Sequence, residues 1–224
     1  MQIESWAPLV DGRARSQTEQ RPLAPNAAAM SEMQDRTGAR QPELFSPERA
    51  ARLDDPAREE YMPAAAIVKR LEVPEEGRVI DLGAGTGRYT FAIAKAHPDA
   101  FVVAVDTQPG FVRIIAERCL DGKYDNVVTG DTPAGPPADR ILLLNVLHEM
   151  TDLDLNPVRA ALSPEGWMLV IDWDAGIERP VGPPREHSHT RDEAIARLQS
   201  RGFARVETVD APEFPYHFVL RARA

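Results

Sequence analysis

"VIDLGAGTGRYT", Val79 to Thr90, carries an apolar run into an aspartate and then sets glycine at three alternate positions. The residues feeding it, "RVIDL", read as a buried strand, and those after it, "TGRYTFAIAKAHP", read as a helix stopped by Pro98. Gly83, Gly85 and Gly87 therefore occupy a strand-to-helix turn. In a parallel α/β sheet, ligands lie beyond the carboxyl ends of the strands, where such turns sit. A chain without side chains there can turn sharply and approach a ligand closely.

Outward from this turn the sequence alternates. "FVVAV", "NVVTG", "RILLLNV" and "WMLVIDW" are further strands, and "FVRIIAERCL" is a helix with Phe111, Ile114 and Ile115 inward. Another helix is expected around Pro157 to Leu162, closed by a turn at "SPEG". Continuous apolar strands separated by amphipathic helices imply a parallel sheet covered on both faces. Thr190 and Glu193 form a capping box, and Gly202 supplies the end of that helix. "ARVETV" and "YHFVLRA" follow, joined only by "DAPEFP", which is too short for a crossover helix. These two strands are expected to pair antiparallel. The fold class is α/β: a Rossmann-like doubly wound seven-stranded sheet, mainly parallel with an antiparallel last strand, helices on both faces.

Ahead of the first strand, "SPERAARL" begins with a serine–proline helix start, and "DDPAREEY" repeats the device. Pro63 opens a helix whose Ala64, Ile67, Val68 and Leu71 share one face. Residues 45–75 read as a helical lid segment of a domain covering 45–224. Residues 1–44 are polar, rich in breaks and without sustained period, and read as a flexible extension.

Composition narrows the function. The chain has 224 residues, a net charge of −9 and one cysteine, Cys119. That charge disfavours nucleic acid as a partner, because a binder of phosphates needs a basic stripe. No apolar run approaches the ~18 residues of a membrane span, so no membrane partner is expected, and a lone cysteine suits the cytoplasm. A metal site is not expected: His187 and His189 face the same way on an extended segment near Tyr216 and His217, but lack further ligands.

The turn chooses its ligand by charge. A phosphate loop would close with lysine and a hydroxyl residue, which this one lacks. A dinucleotide fingerprint needs G-x-G-x-x-G, yet Arg88 stands where the third glycine belongs. Asp81 would repel a pyrophosphate; beside a cationic ligand it is favourable. S-adenosylmethionine carries both a sulfonium and an ammonium. Asp106, ending "VVAVD", is placed to accept hydrogen bonds from ribose hydroxyls. Asp131 stands by the expected adenine position, and "LLLNVLHEM" brings Asn145, His148 and Glu149 to the same rim.

"VIDLGAGTG", "VVAVD", "GD" and "ILLLNVLHEM", in this order, resemble the class I S-adenosylmethionine-dependent methyltransferases. Within that class the chain is similar to the small-molecule branch that includes ubiquinone/menaquinone C-methyltransferases and arsenite methyltransferases, although one cysteine disfavours arsenic chemistry. The resemblance implies that Gly83, Ala84, Gly85, Thr86 and Gly87 wrap the methionine part of S-adenosyl-L-methionine, flanked by Asp81 and Tyr89. It implies that Asp106 and Thr107 take the ribose, that Gly130, Asp131 and Thr132 border adenine, and that Asn145 lies near the methyl group.

The partner is then a small-molecule methyl acceptor, and the protein a monomer or homodimer. His148 is the candidate general base, with hydrogen bonding to neighbouring backbone as its structural alternative. Tyr61, His148, Trp173, His187 and His189 are the candidate substrate-pocket residues. The rival readings are a non-catalytic S-adenosylmethionine-binding sensor or partner subunit and, less favoured by the loop spacing, a nicotinamide oxidoreductase.

Overall fold

The structure is a computed structural model and describes residues 46–133 and 135–224. The expected extension at residues 1–44, and Phe45 with it, lie outside the described residues. The first helix, α1 (Pro47–Leu53), starts where Ser46 accepts a hydrogen bond from the Arg49 amide. A 3-10 turn (Pro56–Glu60) and helix α2 (Ala64–Leu71) follow, with Ile67 and Leu71 buried. Strand β1 (Arg78–Leu82), helix α3 (Arg88–Ala96), β2 (Phe101–Val105), α4 (Pro109–Gly122) and β3 (Val127–Gly130) form the first winding. The second holds β4 (Ala138–Leu144), α5 (Leu155–Ala160), β5 (Leu162–Trp173), α6 (Arg191–Ser200), β6 (Arg205–Thr208) and β7 (His217–Arg223).

Among the described residues, seven strands make one sheet in the order β3-β2-β1-β4-β5-β7-β6. The pairs from β3 through β5 are parallel, and β7 runs antiparallel to both β5 and β6. Strand order reverses between β1 and β4, so a crevice opens at their carboxyl ends. Successive side chains take opposite faces. Val79, Val102, Leu142, Leu169 and Val219 pack with α2 and α3, while Ile80, Val103, Ile141, Met168 and Leu220 pack with α5 and α6.

Two expectations shift. "SPEG" is not a free turn, because β5 already begins at Leu162, opposite Ala138, and a register irregularity between Ala138 and Arg140 absorbs Ser163–Gly166. Pairing with β4 outcompetes the local turn preference. The fourth strand also ends earlier than its apolar run, at Leu144, because Asn145 adopts φ +55°. Asparagine tolerates this left-handed geometry better than the valine that follows.

The capping box at Thr190 and Glu193 is present, and the last two strands pair antiparallel. Among the described residues, no helix is long and apolar enough to cross a membrane.

The turn after β1 leaves no room for a methyl group. Gly83 has φ +73°, and a Cβ there would lie 2.3 Å from Val146 Cγ2. Gly130, by contrast, has its nearest such neighbour, the Thr132 carbonyl oxygen, at 3.9 Å. Gly83→Ala is expected to lose on the order of 2–4 kcal/mol of stability, and Gly130→Ala to stay within about 0.5 kcal/mol. Urea denaturation of the two variants beside the parent protein checks this.

Candidate functional site

A cavity of about 510 Å³ opens at the switch point. Its floor is the turn after β1, where the amides of Gly83 and Ala84 both donate to the Val105 carbonyl, at 2.8 and 3.0 Å. This ties the glycine turn to the end of β2 and brings two acids to one wall. Asp106 is 8% exposed; one carboxylate oxygen accepts from the Gly85 amide and the other from the Gln108 amide, each at 2.9 Å. Burial raises its pKa, and those two amide bonds offset part of the rise. Each oxygen keeps a further lone pair, so the carboxylate can still accept from a vicinal diol.

Asp81 is 3% exposed and accepts from the Thr90 hydroxyl at 2.5 Å. Desolvation pushes its pKa up to about 6, aided by the Asp106 charge and opposed by Thr90. A buried carboxylate in this state is stabilised by a cation placed beside it. Across the wall, the Asn145 side-chain oxygen is buried without a hydrogen-bond partner, while its amide nitrogen lies 3.1 Å from the Met62 sulfur. A bare acceptor and an uncompensated acid on one cavity call for an electropositive ligand.

The segment before β1 roofs the cavity. Arg49, Leu53 and Arg58 line it together with the glycine turn. Asp54 fastens this segment: its carboxylate takes hydrogen bonds from Thr86 Oγ1 at 2.6 Å and from both terminal nitrogens of Arg118, at 3.3 and 2.6 Å. Burial works to raise the Asp54 pKa, yet the bonds from Arg118 and Thr86 hold it below the ordinary range. Arg88 adds bonds to the carbonyls of Asp54 and Asp55 and an ion pair with Glu59 at 2.8 Å. On the far rim Arg49 pairs with Glu149 at 3.3 Å.

Of the residues expected to hold cofactor, Asp81, Gly83, Ala84, Gly85, Thr86, Tyr89, Asp106, Thr107, Asp131, Thr132 and Asn145 all line this cavity. Gly87 and Gly130 do not. Gly87 lies against Phe91 and Ile115 instead, where a Cβ would meet a ring carbon of Phe91 at 2.7 Å. Thr86 lines the wall, but its hydroxyl is engaged by Asp54.

The five substrate-pocket candidates sit elsewhere. Tyr61 and Trp173 join His217 in an aromatic cluster with ring centroids 4.2–6.4 Å apart. Arg179 and the backbone at Gly182 cover Trp173, which is 4% exposed. His187 is exposed, and His189 lies 3.5 Å from Arg197. His148 stands behind the rim, with Nδ1 2.7 Å from Asp172 and its amide bonded to the same carboxylate at 3.0 Å. His217 is buried, and desolvation lowers its pKa to about 3, so it is neutral. Among the described residues, no group of three histidine, cysteine or acidic side chains is placed to hold a metal ion.

Sequence reasoning missed Arg49, Leu53, Arg58, Gln108 and Met150, all on the cavity wall. The first three reach it from α1 and the 3-10 turn, whose docking on the glycine turn has no local sequence signal. Gln108 is carried there by following Asp106, and a reading of the whole βα turn would have included it.

Residues 80–168 match the family described as "Methyltransferase domain". The chain is 27% identical over 124 residues to the trans-aconitate 2-methyltransferase of Rhodopseudomonas palustris (strain HaA2), covering 54% of this chain and 48% of that protein. It is 27% identical over 189 residues to the malonyl-[acyl-carrier protein] O-methyltransferase of Geobacter sulfurreducens, covering 70% and 71%. The chain spans about half the length of the trans-aconitate methyltransferases that it matches. A crystal structure of a SAM-dependent methyltransferase from Aquifex aeolicus superposes with TM-score 0.70 at 26% identity, covering 80% of this chain and 98% of that one. The match to a methyltransferase domain spans residues 80–168, and the chain is similar in sequence and fold to S-adenosylmethionine-dependent methyltransferases.

Two expectations follow from these charges. Asp81 has a folded pKa near 6 against 3.8 for the free side chain, so the fold binds more protons than the unfolded chain between those values. The buried charge is thus a full cost above pH 6, and it fades as pH falls toward 4. Asp81→Asn should raise ligand-free stability at pH 8 by on the order of 2–3 kcal/mol and have little effect at pH 4. Denaturant titrations at both pH values check this. Arg118→Met should free the roofing segment, so trypsin cleaves after Arg52 and Arg58 faster while global stability falls by less than about 1 kcal/mol. Timed digestion read by mass spectrometry decides it.

Proposed function

We propose that this chain is an enzyme that moves a methyl group from S-adenosyl-L-methionine to a small-molecule acceptor by in-line displacement, leaving S-adenosyl-L-homocysteine. One observation carries the reading above the others: two buried acids and a glycine-rich turn line a single cavity at the sheet's switch point. The residues fit the cofactor by charge. Asp81 meets the ammonium end, Asp106 with its two amide-oriented oxygens meets the ribose, and Asp131 and Thr132 border the base. Asn145 offers its bare oxygen toward the electropositive methyl region.

S-adenosylmethionine supplies an electrophilic methyl group on a sulfonium. The protein's contribution is alignment and exclusion of water, which together are worth up to ~7–11 kcal/mol in well-oriented systems. Residues 45–75 act as the lid, closed by Asp54, Arg88 and Arg118. His148 Nδ1 lies 2.7 Å from Asp172 and its Nε2 faces Glu149 at 3.9 Å, so the ring is held behind the cavity wall. Positioning therefore outweighs proton removal. The net charge of −9 supports a small acceptor over nucleic acid, and trans-aconitate, named for one group of relatives, is a small molecule. A cytoplasmic enzyme working as a monomer or homodimer, away from membranes, agrees with the same composition.

Calorimetry with S-adenosylmethionine, S-adenosylhomocysteine and NAD tests the reading. The first two should bind and NAD should not, and Asp106→Ala should weaken both by at least about tenfold. An acceptor screen read by S-adenosylhomocysteine release should then find turnover. Binding without turnover for any acceptor would make the protein a sensor, and no binding would end the proposal.

A further inference from the structure

Among the described residues, three arginines line the cavity, and two of them have their charge met. Arg49 pairs with Glu149 at 3.3 Å and Arg88 with Glu59 at 2.8 Å. Arg58 differs. Among the described residues, no carboxylate approaches its guanidinium within 4.0 Å, and its Nε is buried without a hydrogen-bond partner. A terminal nitrogen rests on the Met62 sulfur at 3.6 Å, and the Tyr89 hydroxyl lies against it. That same sulfur receives the Asn145 amide at 3.1 Å, so Arg58 stands at the Asn145 end of the cavity. The nearby buried acids are committed: Asp81 to Thr90, Asp106 to two amides, Asp172 to His148 and the Trp173 amide. A half-buried guanidinium without an anion is costly, and its planar fork suits a carboxylate.

We propose that Arg58 binds the carboxylate of the methyl acceptor, and that the acceptors are small carboxylic acids methylated on a carboxylate oxygen. This rests on the cofactor reading above. A guanidinium facing a sulfonium is repulsive unless an anion lies between them, and an acceptor carboxylate in that place neutralises both. In the step, an acceptor oxygen forms a bond to the methyl carbon as the carbon–sulfur bond breaks. The bonding pair stays on sulfur, and the negative oxygen and positive sulfur end as a neutral ester and thioether. No proton moves, which agrees with His148 lying off the cavity wall.

The test uses the whole chain saturated with S-adenosylhomocysteine. Acetate, benzoate, succinate and tricarballylate are titrated beside their methyl esters, with binding read by saturation-transfer NMR and calorimetry. At least one acid should bind about tenfold or more tighter than its ester. Arg58→Met should abolish that preference while leaving S-adenosylhomocysteine affinity within about twofold, and Arg58→Lys should keep part of it. Thermal unfolding confirms that each variant is folded.

Equal binding of acid and ester, or no acid bound, overturns the proposal. So does an Arg58→Met variant that weakens S-adenosylhomocysteine but not its decarboxylated analogue, because the guanidinium then serves the cofactor. Failure of the parent protein to bind S-adenosylhomocysteine at all is a different result: it removes the cofactor reading itself.

Discussion

The structure depends on one steric constraint, the missing Cβ at Gly83. There the chain leaves β1 beneath Val146 and turns back so that the amides of residues 83 and 84 reach the Val105 carbonyl. A side chain would push apart the two strand ends whose junction makes the crevice. Because the turn is held from both sides, Gly85 can offer its amide to Asp106 and Asp81 can point at the same space. The binding groups are thus fixed before a ligand arrives, which is how a site lowers the ordering cost of association.

This pre-organisation has an electrostatic cost. Asp81 and Asp106 are both buried, burial raises the pKa of each and the Asp106 charge adds to the rise at Asp81, and neither has a cationic side chain in hydrogen-bond contact among the described residues. The protein instead spends its nearby arginines on the roof: Arg88 and Arg118 hold Asp54, and Arg49 holds Glu149. Segregating the charges this way keeps acid on the floor and cation overhead. A ligand carrying both signs would find each opposed by its complement.

Much of this was legible in the sequence, and the reason is local. The glycine turn, Asp81, Asp106 and Asn145 all sit at ends of strands that their own apolar runs announce. The antiparallel pairing followed from a connection too short for a helix. What the sequence concealed was set by contacts distant along the chain. Arg58 is carried to its place by a segment that Asp54 docks on Thr86 and Arg118, a bond across 64 residues in the second case, and that Arg88 holds through Glu59. Trp173 and His189 lie on the expected rim, yet the loop carrying Arg179 and Gly182 folds over Trp173 and fills the space where an acceptor pocket was expected. "SPEG" misled for a similar reason, as a good local turn overruled by a neighbouring strand.

The strand order carries a consequence for how the molecule comes together. Among the described residues, β6 touches the sheet only through β7, which is inserted between it and β5. During synthesis β6 therefore emerges with no neighbour to join, and the free edge of β5 stays open until β7 has left the ribosome. β6 and β7 must be captured together as a hairpin, so the half-sheet that precedes them is the stage most exposed to wrong partners.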